Sequence, residues 1–228
     1  MSQSSNHLDE VQDVVGYRFA LVELLETALT HSSYAAENEA ESYERLEFLG
    51  DAVLELAMTA RLYELLSDAP EGRMTRIRAA IVDEKTLSDV ARDVGLARAI
   101  RLGVGEDRSG GRDRPSILSD VIEAIIGAVY IDGGAEAAFE VVYRLFGEAI
   151  DDRVAARRVA DSRSSLQEDL ARTGRVVSFE YERSGPDHAV VFRATAYVDG
   201  GVIGTGSGSS KKAAAIAAAQ HALDMGIS

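Results

Sequence analysis

The chain of 228 residues contains no cysteine and no tryptophan, and no apolar run long enough to span a bilayer. The lack of cysteine excludes disulfides, zinc–thiolate sites and thiol nucleophiles. The amino terminus, Met1-Ser2-Gln3-Ser4-Ser5-Asn6-His7 followed by Asp9 and Glu10, has neither the pattern of a signal peptide nor that of a transit peptide. A cytoplasmic protein with no membrane attachment is the expectation. Positive charge is scarce as well: 24 Lys and Arg face 38 Asp and Glu, for a net charge of −14. Such a chain is not the default nucleic-acid binder, because phosphate contacts need cations. The imbalance is uneven. Residues 160–228 hold 7 basic and 8 acidic residues, leaving 17 and 30 for residues 1–159. Any polyanion must therefore be bound through local basic patches or through metal ions.

What is present is the composition of an ordinary globular protein, 46% apolar and 27% charged, with room for one large domain or two modest ones. The densest chemistry lies in Tyr43-Glu44-Arg45-Leu46-Glu47-Phe48-Leu49-Gly50-Asp51-Ala52-Val53-Leu54. At helical period Leu46, Leu49, Val53, Leu54 and Ala57 share one buried face, while Glu44, Glu47 and Asp51 form an adjacent acidic stripe. Like charges at these spacings repel, which a cation on the stripe would relieve. Gly50 in mid-helix costs about 1 kcal/mol relative to Ala, so its place asks for a reason such as close approach of another group.

Upstream, a helix is expected around Ala20–Thr30, and His31 reads as a capping or packing histidine. The signature helix should run to about Leu66, followed by a turn at Pro70-Glu71-Gly72. Arg73, Arg76 and Arg78 then form either a solvated face or a phosphate-facing set, before a helix at Glu84–Val94 that stops at Gly95. Gly103–Ser116 is glycine-rich but lacks a P-loop ending, and flexible connector is the preferred reading for most of it. Ile117–Tyr130 is apolar nearly all round, hence a buried helix, yet it carries Asp120 and Glu123 on one face. Buried carboxylates cost several kcal/mol each unless paired or metal-bound. Salt bridges to arginine would serve. Acids doubled on one helix and doubled again on another favour a divalent cation, since hard ions take oxygen ligands. Asp132-Gly133-Gly134 should end that helix, and Ala135–Ile150 should form another.

Asp151–Arg163, with Arg153, Arg157 and Arg158, reads as a linker, after which the pattern changes. Ser165-Leu166-Gln167-Glu168 has the capping-box form and is expected to open a short helix that Gly174 stops. Val176–Arg183 and His188–Val198 alternate like strands, Asp199-Gly200 signals a hairpin, and Gly201–Ser207 gives a third strand. An alanine-rich helix, Ser210–Met225, closes an α-β-β-β-α domain. Lys211 and Lys212 fall in its first turn beside Ser209 and Ser210, where free N–H groups add to an anion site. The Gly204-Thr205-Gly206-Ser207-Gly208 lead-in strengthens that phosphate reading.

Glu44 to Leu54 resembles the signature of bacterial ribonuclease III at nearly every position, and Ile117 to Gly127 resembles that family's second acidic motif. Residues 162–225 resemble its carboxy-terminal double-stranded-RNA-binding domain, through Leu166-Gln167-Glu168, Gly185-Pro186-Asp187-His188, and Gly204-Thr205-Gly206 to Lys211-Lys212. The resemblance covers almost the whole chain. It implies a multidomain protein: an all-α catalytic endonuclease domain at 8–150, a linker at 151–161, and an α+β double-stranded-RNA-binding domain at 162–228. It implies a homodimer that hydrolyses duplex RNA endonucleolytically to 5′-phosphate and 3′-hydroxyl ends, with processing of ribosomal precursor and other structured RNAs as the family expectation.

Carried over by position, the resemblance assigns Glu47, Asp51, Asp120 and Glu123 to Mg²⁺, for which Mn²⁺ can substitute, with Asp51 and Glu123 closest to the chemistry. Glu44 and Glu71 match acids lining the catalytic valley, and Phe48 matches a dimer-contact residue. Gln167, Glu168 and His188 would face minor grooves of the duplex, while Ser210, Lys211 and Lys212 would serve the phosphates between them. The chain departs from the family pattern near Ala215, where many such domains hold a third basic residue, and around Arg172–Ser178, where they carry more proline and lysine. With these departures and a net charge of −1 over residues 160–228, RNA affinity weaker and more salt-sensitive than that of the family's basic members is expected. The competing class is a non-cleaving duplex-RNA binder, which loss of a ligand carboxylate would mark; none is missing.

Overall fold

The computed structural model describes residues 3–67, 69–186 and 189–226. The chain divides into two compact units between Arg153 and Val154. The first unit is helical. Its elements are α1 (Gln3–Val15), α2 (Val22–Ala28), α3 (Ser32–Asn38), α4 (Glu44–Leu65), α5 (Glu71–Ile81), α6 (Glu84–Asp93), α7 (Val104–Arg108) and the amino-terminal part of α8 (Pro115–Arg172). The stop signals act as their chemistry dictates. Asp83 caps α6 by accepting a hydrogen bond from the Thr86 amide at 2.7 Å, and Gly95 leaves that helix at φ 74°. Pro115 opens α8 at the position where a missing N–H costs nothing. Gly134 breaks α8 with φ 82° and ψ −175°.

Asp132, just before that break, fastens the chain leading into α2. It accepts from the Tyr17 hydroxyl at 2.9 Å and from the amides of Ala20 and Leu21 at 2.8 and 3.0 Å. These bonds hold its carboxyl below the usual range against the opposing effect of burial. In the core, Ile117, Leu118, Val121, Ile122, Ala124, Ile125, Ile126, Ala128 and Val129 are all buried, as an all-round apolar helix requires. Leu46, Val53, Leu54, Ala57, Met58 and Leu62 of α4 are buried as well.

In the first unit two local expectations change. Pro70-Glu71-Gly72 is a helix start, with Pro70 as the N-cap residue and Glu71 opening α5. Proline's fixed φ and the acid's favourable place at the positive helix end account for this as well as a turn would. The segment Gly103–Ser116 is built rather than loose. It holds α7 and a 3₁₀ turn at Gly111–Asp113, and Glu37 accepts from the Val104 amide at 3.1 Å. The Arg112 guanidinium donates to the Ile100 carbonyl at 2.7 Å, and Arg114 pairs with Glu106 at 2.7 Å.

The second unit begins within helix: residues 154–172 complete α8, so the backbone of the expected linker is helical to its end at 161. Ser165 consequently lies inside a helix and caps nothing, against the capping-box reading. The S-x-x-E pattern signals a start only where the preceding backbone is not already helical. Gly174, at φ 71°, does stop the helix, with the Arg175 amide returning to the Leu170 carbonyl at 2.9 Å. Then come β1 (Ser178–Ser184), β2 (Val191–Val198) and β3 (Gly201–Gly208), antiparallel in the order 1-2-3, and α9 (Lys211–Asp224). Asp199 and Gly200 take φ 50° and 80°, the left-handed pair of a tight hairpin.

Helix α9 lies flat on the sheet because both surfaces are small. A Cβ on Gly204 would sit 2.3 Å from the Ala218 carbonyl oxygen, and one on Gly206 2.3 Å from the Ala218 nitrogen. Ala214, Ala215, Ala218, Ala219 and Ala222 face Ala194, Ala196 and Val198 across that contact, with Leu166 and Leu170 completing the core. Gly204 and Gly206 of the lead-in therefore serve the close packing of α9 on the sheet. Ala215 is wholly buried, so a basic side chain there would have to leave the core.

Candidate metal centre and RNA-binding face

Gly50 and Gly127 bring the acids together. A Cβ on Gly50 would lie 1.8 Å from the carbonyl oxygen of Glu123, and a Cβ on Gly127 would lie 2.2 Å from that of Leu46. Helices α4 and α8 thus cross backbone against backbone, which no larger residue at either position permits. The crossing places the acidic stripe of α4 over that of α8. Glu47, Asp120 and Glu123 each offer a carboxylate oxygen within 4.8 Å of the others, and each is half-buried. Asp51 is exposed and outside that tight group, yet its charge is the largest of the neighbouring charges that act on Glu123.

The electrostatics record the crowding. Burial, then the charges of Asp51, Asp120 and Glu47, pushes the Glu123 carboxyl up to about 8. Burial and the charges of Asp120, Glu44 and Asp51 also raise Glu47. Asp120 is raised by burial, against opposing effects from Tyr43, His31 and Ser119. Among the described residues, no Lys or Arg pairs with Asp120 or Glu123, so the salt-bridge reading of the buried acids fails. The donor set is all carboxylate oxygen, which suits a hard divalent ion. A cluster of acids that repel one another and lack a cationic side chain fits such an ion.

Other predicted residues sit around this centre. Glu44 is exposed and accepts from the Ser42 hydroxyl at 2.9 Å; its charge reaches Glu47. Glu71 is exposed at the start of α5 and accepts from the Thr75 hydroxyl at 2.6 Å; it is not one of the three clustered acids. Of the α5 arginines, Arg78 is tied to Glu55 at 2.9 Å and to the Thr59 hydroxyl at 2.8 Å. Phe48 is 83% exposed. Leu56 and Tyr63 follow it at i+8 and i+15 and are exposed too, so an apolar strip runs along α4.

Two residues given no place at the site by sequence reasoning stand behind Asp120. The Tyr43 hydroxyl donates to Asp120 Oδ2 at 3.1 Å, and His31 stacks edge-on against the Tyr43 ring. Burial and the Asp120 charge push the phenol above its ordinary range, so it remains a donor. His31 is the N-cap of α3, as one of its two expected roles had it, accepting from the Ser33 amide. Tyr43 could have been noticed as the aromatic residue abutting the acidic stripe, but nothing in the sequence pairs it with a residue 77 positions away.

In the second unit Gln167 and Glu168 are exposed on the helix. Ser210 caps α9 by accepting from the Ala213 amide at 3.1 Å. Lys211 and Lys212 are exposed in the first turn, and the Lys211 ammonium lies 5.6 Å from the centre of the Tyr181 ring. His188 lies outside the described residues.

Residues 22–149 match the family model described as Ribonuclease-III-like, and residues 162–225 match the double-stranded RNA binding motif. Ribonuclease 3 of Thermobifida fusca is 47% identical over 93% of this chain and 89% of its own length. Ribonuclease 3 of Listeria innocua is 44% identical over 96% and 97% respectively. Among solved structures, the nuclease domain of ribonuclease III from Campylobacter jejuni covers 62% of this chain and 96% of its own, at 38% identity and a TM-score of 0.59. That structure is described as flexible in a region involved in dimer formation.

A helical domain carrying paired acidic helices, followed by an α-β-β-β-α domain, defines an endoribonuclease architecture with its own RNA-binding module. The chain belongs to the ribonuclease III family of endoribonucleases. No described helix is long and apolar enough to cross a membrane.

Proposed function

We propose that this chain hydrolyses double-stranded RNA endonucleolytically with a divalent cation, Mg²⁺ or in its place Mn²⁺, and leaves 5′-phosphate and 3′-hydroxyl ends. We further propose that it acts as a cytoplasmic homodimer in processing ribosomal precursor and messenger RNAs. The carboxylates of Glu47, Asp120 and Glu123, gathered within 4.8 Å without a cationic side chain, carry the reading. Those three would hold the ion, with Asp51 beside them. When bound, the ion supplies Lewis acidity toward the phosphate and lowers the pKa of attacking water.

The chain's own residues do the rest. Glu47, Asp120 and Glu123 orient the site and confine negative charge where a cation and the phosphodiester meet. Asp51 and Glu123 stand nearest the reacting water in this reading. Glu44 and Glu71 line the valley toward a second subunit, which meets the first through Phe48 and the exposed strip of α4. The domain division proposed is endonuclease at 8–150, linker at 151–161 and RNA binding at 162–228. Gln167, Glu168 and His188 read minor grooves, while Ser210 shapes the helix start from which Lys211 and Lys212 meet phosphates. Most of the acidic excess lies in residues 1–159, so RNA meets that half through cations rather than through basic side chains.

The test is incubation of the protein with a long perfect RNA duplex, with Mg²⁺, with Mn²⁺ and with EDTA. Cation-dependent conversion to short fragments with 5′-phosphates supports the reading, with Asp51→Ala and Glu123→Ala abolishing cutting but keeping duplex binding. Binding without cutting in either metal would replace it with a non-cleaving duplex-RNA binder.

A further inference from the structure

Among the described residues, Asp120 is the one clustered carboxylate that receives a hydrogen bond from a tyrosine. The Tyr43 hydroxyl donates to its Oδ2 at 3.1 Å, and Tyr43 is 3% exposed. Among the described residues, neither Glu47 nor Glu123 accepts a side-chain hydrogen bond. The phenol itself is held from several sides. The Tyr43 amide donates to the Thr30 carbonyl at 2.9 Å, and the His31 ring meets the Tyr43 ring at 5.7 Å and 61°. His31 is fixed in turn by the Ser33 amide at 3.1 Å, and the Ser33 hydroxyl accepts from the Gly103 amide at 2.9 Å. The His31 amide donates to the Arg101 carbonyl at 3.0 Å, and the Arg101 amide donates to the Leu29 carbonyl at 2.7 Å.

We propose that Tyr43 is a positioning residue that fixes Asp120 as the rigid oxygen ligand of the cation site, against which the freer Glu47 and Glu123 close. The inference rests on the cation reading above. A carboxylate has two oxygens and about four acceptor positions, so one hydrogen bond to Oδ2 fixes the plane of the group and leaves capacity for a metal. Partners of this kind hold a ligand in the orientation that the ion requires, and their removal costs about 10–100-fold in metal affinity or activity.

The test uses full-length Tyr43→Phe, which removes the hydroxyl and keeps the ring. Mn²⁺ binding is measured by titration calorimetry without RNA, cleavage is measured as a function of Mg²⁺ concentration, and thermal melting is recorded in EDTA. The expected result is Mn²⁺ affinity lower by about 10–100-fold. Half-saturating Mg²⁺ should rise in step, the rate at saturating Mg²⁺ should change far less, and the melting temperature in EDTA should hold within a few degrees. In an Asp120→Asn background, Tyr43→Phe should weaken Mn²⁺ binding no further. Wild-type Mn²⁺ affinity in Tyr43→Phe overturns the proposal, and so does an undiminished loss in the Asp120→Asn background. If the unaltered protein binds no divalent cation at all, the cation reading falls and this inference falls with it.

Discussion

Replacing Glu123 with glutamine should make the metal-free protein more stable and the enzyme inactive. In the fold, burial and the charges of Asp51, Asp120 and Glu47 lift this carboxyl from 4.5 to about 8. The folded state therefore holds the proton more tightly than the unfolded chain does. The stability this contributes is fully present below about 4.5 and is lost as pH rises through about 8. At about 1.4 kcal/mol per unit the shift corresponds to several kcal/mol, which partial exposure and solvent screening reduce to on the order of 2–3 kcal/mol. Glu123→Gln removes the charge and keeps the shape. Urea denaturation in EDTA at pH 5.5 and pH 8.5 should show the unaltered protein losing stability between the two, and the variant losing on the order of 2–3 kcal/mol less. Duplex cleavage by the variant should be absent at both values. A variant with the same pH slope as the parent, or one less stable at pH 8.5, would refute the claim that carboxylate crowding strains the metal-free site.

Gly50→Ala should lower stability by about 2–3 kcal/mol, because the new methyl would lie 1.8 Å from the Glu123 carbonyl oxygen, and the overpacking outweighs about 1 kcal/mol of gained helix propensity. A variant melting at or above the parent's temperature would refute the backbone crossing. On the proposed homodimer, Phe48→Glu should shift the protein from dimer to monomer in sedimentation velocity, since Phe48 is 83% exposed in the single chain; a persistent dimer counts against that contact. Alanine at both Lys211 and Lys212 should weaken duplex binding about equally for all sequences and lower the slope of log K against log salt by about 1 for each phosphate left without its lysine. An unchanged slope would remove these lysines from the RNA interface.

The periodicity of Leu46, Leu49, Val53, Leu54 and Ala57, all buried but the half-buried Leu49, placed one helix correctly, and the near all-round apolarity of Ile117–Tyr130 placed another, its apolar residues buried up to the exposed Tyr130. Hairpin chemistry at Asp199-Gly200 and the glycine stops at Gly95, Gly134 and Gly174 were equally legible, since each depends on backbone conformations that few residues adopt. Context misled the local patterns elsewhere. Ser165 carries a capping-box pattern inside a helix that had already begun, and Pro70-Glu71-Gly72 starts a helix instead of turning the chain. The glycines at 204, 206 and 208 also serve the close approach of α9, a packing role that their place in the sequence did not show.

The residue types of the site were likewise present in the sequence: carboxylates at i, i+3 and i+7 on one helix and i, i+3 on another. Spacing along a helix says which side chains share a face, but not what that face meets. Only the crossing at Gly50 and Gly127 decided that Glu47, Asp120 and Glu123 converge within 4.8 Å while Asp51 stays exposed beside them. Only the fold set Tyr43 against Asp120, a contact across 77 residues that no local pattern encodes. The sequence determined which chemistry was available, because residue type and local periodicity are properties of the chain. The tertiary structure decided which groups act together, because separation through space is set by packing between distant segments.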